Sequence, residues 1–407
     1  MYFLVICRKI TQRNFFDFAL LTAKILKTTE TAKPRVYLFN YLAPQLQFED
    51  SMKTTRRSLL TSAVSTVLAS PILASEVLAQ TPSSKVKKGK SQKLIKPKAL
   101  QNGMTIGLVY PAGWTKMEDV EQGKAYLEKI GFKVVLGANA GKQHGYLSAT
   151  DKERAGEFMT AIENPAIDAI ICARGGYGTM RMLEMLDYTS IRKHPKIISG
   201  YSDITALINT IYQRSGLVTF HGPGAMASFH EFTEKSFLDI LTTSPEKSKL
   251  PFAPLTMPPT EGWKTLSSGK TGKAKGRLVG GNLTLLSMTT GTPLEINTKG
   301  TLLFFEDVTE EPYRIDRMIT QLLLAGKLQQ CAGIAIGQFT KCEAEDTAHS
   351  FTVQEVLEDR LSNLGIPIVV GLQFGHVPQK YTYPIGVQAE LDANTGALTL
   401  LESAVTV

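Results

Sequence analysis

Lys196-Ile197-Ile198-Ser199-Gly200-Tyr201-Ser202-Asp203 is the stretch that decides the fold. Ile197–Gly200 is a short apolar run, as expected of a strand covered on both faces. Ile204–Arg214 carries apolar residues at helical spacing, so a helix follows directly. Ser202 falls in the tight turn between them. The same alternation recurs on either side. Met104–Tyr110 reads as a strand ending in Pro111-Ala112-Gly113, Met117–Ile130 as a helix, and Phe132–Leu136 as a second strand. Asp151–Glu163 reads as a helix and Ile167–Ala173 as an apolar strand. The turn Arg174-Gly175-Gly176-Tyr177-Gly178 follows, then a helix over Thr179–Leu186; Leu217–Phe220 adds a strand. Strands alternating with helices predict a doubly wound, flavodoxin- or Rossmann-like α/β domain with a parallel sheet, over residues 101–225. Its turns at 111–113, 174–178 and 201–203 share the carboxyl edge of that sheet, where such folds place reactive groups.

Beyond this domain the pattern weakens. Residues 226–270, rich in Pro, Ser, Thr and Lys, read as an interdomain segment. From Lys273 the chain becomes strand-rich, with strands expected at Leu302–Phe305, Gly333–Gly337, Pro367–Gly371, Gly386–Leu391 and Ala397–Leu401. Helices are expected at Asn282–Met288, Tyr313–Leu324 and Val353–Leu361. A second, C-terminal mixed β/α domain of swivelling type is therefore expected over 271–407.

The formal charge of +8 is misleading, because its basic excess sits at the N-terminus. Residues 1–79 hold ten Lys/Arg and five Asp/Glu, and residues 80–100 hold seven Lys and no acid; 101–407 keeps 28 Lys/Arg against 32 Asp/Glu. A slightly acidic core argues against a nucleic-acid partner. Met52-Lys53-Thr54-Thr55-Arg56-Arg57-Ser58-Leu59-Leu60 opens a basic segment, followed by an apolar small-residue stretch and Val77-Leu78-Ala79. That order is a secretory signal peptide over 52–79, and the Arg-Arg pair resembles a twin-arginine signal. It predicts a periplasmic protein, with a cytoplasmic one as the alternative. Residues 1–51 read as an upstream extension, with Met52 a candidate true start. Residues 80–100 read as a Lys-rich disordered tether able to touch an anionic envelope. The four cysteines include no C-x-x-C pair; Cys172 reads as core packing and Cys331 and Cys342 as able to pair. The six His do not cluster at ligand spacing, so neither a metal nor a cofactor is expected.

Ser202 has two readings. A hydroxyl at a strand-to-helix turn can serve as a nucleophile beside free backbone N–H groups. A Ser or Asp in that place also caps helices. A serine nucleophile needs a base and a group to orient it. Glu306 follows the apolar strand Leu302–Phe305, His376 follows Gly371-Leu372-Gln373-Phe374-Gly375, and His221 ends the Leu217–Phe220 strand as a competing base. Spacing alone leaves the two histidines open. The glycine turn at 174–178 lacks the order of a dinucleotide or phosphate loop. It suits backbone donation to an oxyanion from Gly175 and Gly176, together with the Asp203 N–H. The G-x-S-x-G elbow is absent, since Ile204 stands where its second glycine would be.

Gly200-Tyr-Ser-Asp-Ile-Thr-Ala, Arg174-Gly-Gly-Tyr-Gly, Leu278-Val-Gly-Gly-Asn-Leu, Glu306-Asp-Val-Thr-Glu-Glu-Pro-Tyr-Arg-Ile-Asp-Arg and Gly371-Leu-Gln-Phe-Gly-His together resemble the LD-carboxypeptidase/microcin-immunity family of serine peptidases, from about Gly103 to the C-terminus. The resemblance implies Ser202 as nucleophile, Glu306 and His376 as its partners on the second domain, a murein peptide as substrate, and a homodimer. Its immunity branch offers one rival, a peptidase acting on a peptidyl-nucleotide antibiotic; a rival from another class is a non-catalytic periplasmic muropeptide-binding protein on the same two-domain frame. A substrate carboxylate needs a cation, and Arg174, Arg314 and Arg317 are candidates. Tyr177 and Trp263 are further candidate substrate contacts, Trp263 by stacking on a ring.

Overall fold

The computed structural model describes residues 93–225, 230–242, 253–266 and 272–407, all within one compact unit. The expected extension, the signal peptide and residues 80–92 lie outside the described residues. The strands are β1 Thr105–Val109, β2 Lys133–Leu136, β3 Ala169–Cys172, β4 Ile197–Gly200, β5 Thr219–His221, β6 Leu255–Met257, β7 Lys264–Thr265, β8 Lys273–Asn282, β9 Leu302–Val308, β10 Gly333–Thr340, β11 Ile368–Val370, β12 Tyr383–Ile385, β13 Gln388–Asp392 and β14 Ala397–Leu400. The helices are α1 Met117–Lys129, α2 Asp151–Glu163, α3 Thr179–Met182, α4 Tyr188–Lys193, α5 Ile204–Ser215, α6 Glu231–Leu241, α7 Leu283–Thr289, α8 Pro312–Leu324 and α9 Val353–Leu361.

The first sheet has the order β12-β5-β4-β3-β1-β2, parallel throughout except for β12. Its central strands are continuous apolar runs because helices cover both faces, and Ile106, Leu108, Ile170, Ile171, Ile197 and Ile198 are all fully buried. The second sheet has the order β6-β14-β13-β8-β9-β10-β11-β7, with a parallel centre from β8 to β11 and antiparallel flanks. The expected α/β architecture, a doubly wound domain followed by a mixed one, is the observed one.

Four expectations need correction. The tether does not hold for residues 93–100. Leu94, Ile95 and Leu100 alternate with the lysines and pack inward, Ile95 bridges to Leu217, and Leu100 N donates to the Leu241 carbonyl at 2.8 Å. The interdomain segment holds α6, whose Phe237 and Leu241 are fully buried, as well as β6 and β7 at the edges of the second sheet. β12 lies in the C-terminal stretch yet pairs with β5 of the first sheet; it is three residues long with Pro384 at its centre, a pattern tolerated only at a sheet edge. Cys331 and Cys342 are both buried and free, and burial pushes their thiols up to about 12 and about 11. Cys172, in β3, is core packing as expected.

The two domains meet along α5. The helix is buried on nearly all sides, with Ile204, Leu207, Ile208 and Ile211 at 0% exposure, because β8 and α7 cover the face the first sheet leaves free. The Asn209 side-chain amide donates to the Gly280 carbonyl at 2.8 Å and accepts from the Gly280 N–H at 3.2 Å. One step on, Asn282 N–H donates to Thr205 Oγ1 at 2.9 Å. Only glycine serves at 280, where φ is +143° and a Cβ would overlap the Phe304 carbonyl. Asn209→Leu removes both bonds and leaves a buried N–H and C=O unpaired, so urea unfolding should show a loss of about 2–3 kcal/mol. A midpoint within error of the parent would show that this pair does not hold the domains together.

Candidate active site

Ser202 stands at the turn from β4 into α5 with φ +64°, in the left-handed region that a side chain adopts at a cost of about 1–3 kcal/mol. Capping does not explain this geometry. Asp203 occupies the N-cap position, and no side chain caps the helix. Instead Asp203 Oδ2 accepts from the Thr179 N–H at 2.8 Å, and its carbonyl accepts from Thr179 Oγ1 at 2.6 Å. Burial raises the Asp203 carboxyl above its ordinary value, while these bonds pull the other way. The 179 end of the glycine turn is thereby tied to the Ser202 turn.

Gly175 lies against Ser202. A Cβ there would stand 2.7 Å from Ser202 Cβ and 3.1 Å from both Ser202 Oγ and the Asp203 nitrogen. Gly176 follows with φ +106°. Among the described residues, neither the Gly176 nor the Asp203 N–H is taken by an internal hydrogen bond. Gly176 lines the cleft, and the Asp203 N–H stands at the N-terminus of α5, where backbone donors are free of helix partners.

Glu306 lies in the buried part of β9 at 0% exposure. Its Oε2 accepts from His376 Nδ1 at 2.7 Å and from the His376 backbone N–H at 3.2 Å. Gly375, with φ +104°, lets the chain pass over this carboxylate, since a Cβ there would stand 2.6 Å from Oε2. With Nδ1 donating to the carboxylate, Nε2 carries the lone pair that can accept a proton. Asp307 serves the frame, accepting from Asn282 Nδ2 at 2.8 Å and from Thr284 N–H at 2.8 Å.

Ser202, His376, Arg174, Gly175, Gly176 and Tyr201 line one cleft of about 550 Å³, with Thr115, Asp119, Gln122 and Tyr126 on its opposite wall. The two domains thus bring the sequence-predicted nucleophile, base and glycine turn together. His221, the rival base, lies behind the cleft. It is fully enclosed, with rings of Phe304 at 5.5 Å and Phe374 at 6.4 Å, and burial drives its imidazole down to about 3. A neutral, walled-in imidazole does not exchange protons with a substrate.

Of the candidate substrate contacts, only Arg174 reaches the cleft; its Nη1 donates to the Trp114 carbonyl at 3.1 Å. Arg314 and Arg317 both stack over Tyr313 on α8, and Arg314 pairs with Glu310 at 3.6 Å. Neither lines the cleft, because α8 turns that face to solvent. Trp263 packs inside the second domain against Gly371 and Gly396. Tyr177 points outward, edge-on to Tyr146 at 5.5 Å. The wall from α1 was missed, because an Asp and a Gln in the first two turns of a helix look like ordinary solvated residues. Among the described residues no cluster of His, Cys, Asp or Glu could hold a metal.

Two substitutions test the assembly. Glu306→Gln removes the charge that fixes the His376 tautomer and should lower kcat by about 10³–10⁴ with the fold intact by circular dichroism. Gly175→Ala should push Ser202 aside and cut kcat with a smaller change in KM. Parent-like kcat in either variant contradicts this geometry.

Two family models match the chain: the LD-carboxypeptidase N-terminal domain over residues 106–222 and the LD-carboxypeptidase C-terminal domain over 275–391. The chain is 41% identical over 297 residues to the probable murein peptide carboxypeptidase of Bacillus subtilis (strain 168), covering 73% of this chain and 91% of that one. Its structure is similar to that of the microcin C7 self immunity protein MccF in the apo state, with a TM-score of 0.69 and 29% identity over 77% of this chain and 100% of that one. It is also similar to muramoyltetrapeptide carboxypeptidase from Oxalobacter formigenes, with a TM-score of 0.62 and 30% identity over 73% of this chain and 98% of that one. With both domains matched in order and the cleft formed where they meet, the chain belongs to the LD-carboxypeptidase family and is a serine-type carboxypeptidase.

Proposed function

We propose that this protein removes the terminal D-Ala from murein tetrapeptide stems, using Ser202 as nucleophile, His376 as general base and acid, and Glu306 as the group that orients His376. The observation that carries the reading is the 2.7 Å Glu306–His376 bond in the cleft that also holds Ser202 at its strained turn. Similarity to proteins named for murein peptide and muramoyltetrapeptide cleavage supports the substrate class.

In this mechanism Ser202 Oγ gives its proton to His376 Nε2 and bonds to the carbonyl carbon before the terminal residue. The negative charge on the carbonyl oxygen falls between the Asp203 N–H and the Gly175–Gly176 turn. The C–N bond then breaks, and His376 returns the proton to the departing D-Ala amine. Water, deprotonated by His376, hydrolyses the acyl ester and restores Ser202. Arg174, which lines the cleft and whose planar guanidinium fits a carboxylate in two places, holds the free terminus in this mechanism. Such an anchor makes the enzyme an exopeptidase, since an internal residue offers no charge there.

Mass spectrometry of a tetrapeptide muropeptide incubated with the protein should show loss of one alanine, and Ser202→Ala should abolish that loss while leaving Tm nearly unchanged. Faster cleavage of a peptidyl-nucleotide would favour immunity-type activity, the reading that the likeness to MccF supports. Binding of the muropeptide without cleavage would leave only a binding role. The basic-apolar segment at 52–79 supports action outside the cytoplasm. Fractionation should then find the processed chain in the periplasm, and unprocessed protein in the cytosol would overturn that location.

A further inference from the structure

We propose that Lys380 is a positioning residue for the triad: its ammonium, seated on the face of Tyr201, holds that ring against His376 and so keeps the imidazole aligned with Ser202. The inference rests on the Ser202–His376–Glu306 reading and adds to it a residue that touches none of the reacting atoms.

Lys380 is one of two buried lysines among the described residues, at 6% exposure. The other, Lys196, donates to the Ala161 and Asn164 carbonyls and is satisfied by them. Lys380 makes no such bond within the described residues. Its Nζ lies 4.2 Å from the Tyr201 ring centroid, well inside the range of a cation–π contact. The Tyr201 ring in turn lies 5.0 Å from the His376 ring, tilted by 54°. Tyr201 also precedes Ser202 in the chain and lines the cleft beside it. One ring therefore connects a buried cation to both the nucleophile turn and the base.

The Lys380 backbone is fixed independently of its charge. Its N–H donates to Thr233 Oγ1 at 3.1 Å, and, two residues on, the Thr382 N–H donates to Ser236 Oγ at 2.9 Å, both acceptors on α6. The groups facing the ammonium come from three elements: Tyr201 after β4, neutral His221 from β5 and Glu306 from β9. Glu306 is the charge that favours the ammonium. Burial outweighs it and lowers the Lys380 pKa to about 8. The sign follows directly. Below that value the ammonium grips the ring; as pH rises through it the amine becomes neutral, the contact is lost, and Ser202 reactivity falls.

The test is the rate at which Ser202 is labelled by a fluorophosphonate. That reaction forms an Oγ–P bond, expels fluoride, moves the serine proton to His376, and does not depend on which peptide is the substrate. Lys380→Met should label about five- to thirtyfold more slowly and lose the alkaline decline near pH 8. Lys380→Arg should restore most of the rate and keep it to higher pH. With tetrapeptide, KM should stay within about twofold while kcat falls by the labelling factor. In a Tyr201→Leu background, Lys380→Met should add nothing, which separates the contact from any general loss of fold. Parent-like labelling by Lys380→Met, equal slowing by Met and Arg, or additive effects with Tyr201→Leu each overturn the proposal. A parent protein that fluorophosphonate does not label overturns the triad reading as well.

Discussion

A single side chain, Asn209, holds the backbone of Gly280 by both its N–H and its C=O across a buried boundary. Each domain brings residues to the cleft. Ser202 and α5 belong to the first, while Glu306 and His376 belong to the second. An amide pairing donor to acceptor and acceptor to donor fixes distance and direction together, which apolar packing alone does not. The Thr205–Asn282 bond and the β5–β12 pairing extend the same seam, so Ser202 and His376 face one cleft.

Around that seam the structure concentrates strain and unbalanced polarity. Ser202 and Gly176 lie in the left-handed region, Gly280 and Gly375 allow backbone to cross where no Cβ fits, and Glu306 Oε1 and His221 Nε2 are buried without hydrogen-bond partners. Features of this kind are costly, and they gather here because the reacting groups must be held before substrate arrives. The apolar strands on either side stabilise the frame that tolerates them.

Much of the frame is legible in the chain itself. Ala169–Ala173 and Ile197–Gly200 read as buried strands because no charged residue interrupts them, and α5 shows its apolar period plainly. The elements that escaped are those whose identity depends on a distant partner. β12 is a three-residue segment with a proline, meaningful only beside β5, and residues 93–100 look like a charged tether until their alternating apolar side chains meet the first domain. Arg314, Arg317 and Trp263 have the right chemistry for a substrate site, but helix phase and glycine contacts turn them elsewhere.

The residue types at the site were set by the sequence: a serine at a strand-to-helix turn, a glycine-rich turn, and a glutamate and a histidine after apolar strands. Motif order gave them their family. Spacing left His221 and the motif-implied His376 both open, and only the tertiary structure shows which of them shares a cleft with Ser202. His221 and His376 both follow strands, and the local sequence around each is equally suitable. Enclosure among Phe304 and Phe374 keeps His221 neutral, whereas Gly375 turns His376 onto Glu306 at the cleft. The placing of Lys380 behind Tyr201 was likewise a matter of packing, since burial and partner are properties of a fold and not of a residue type.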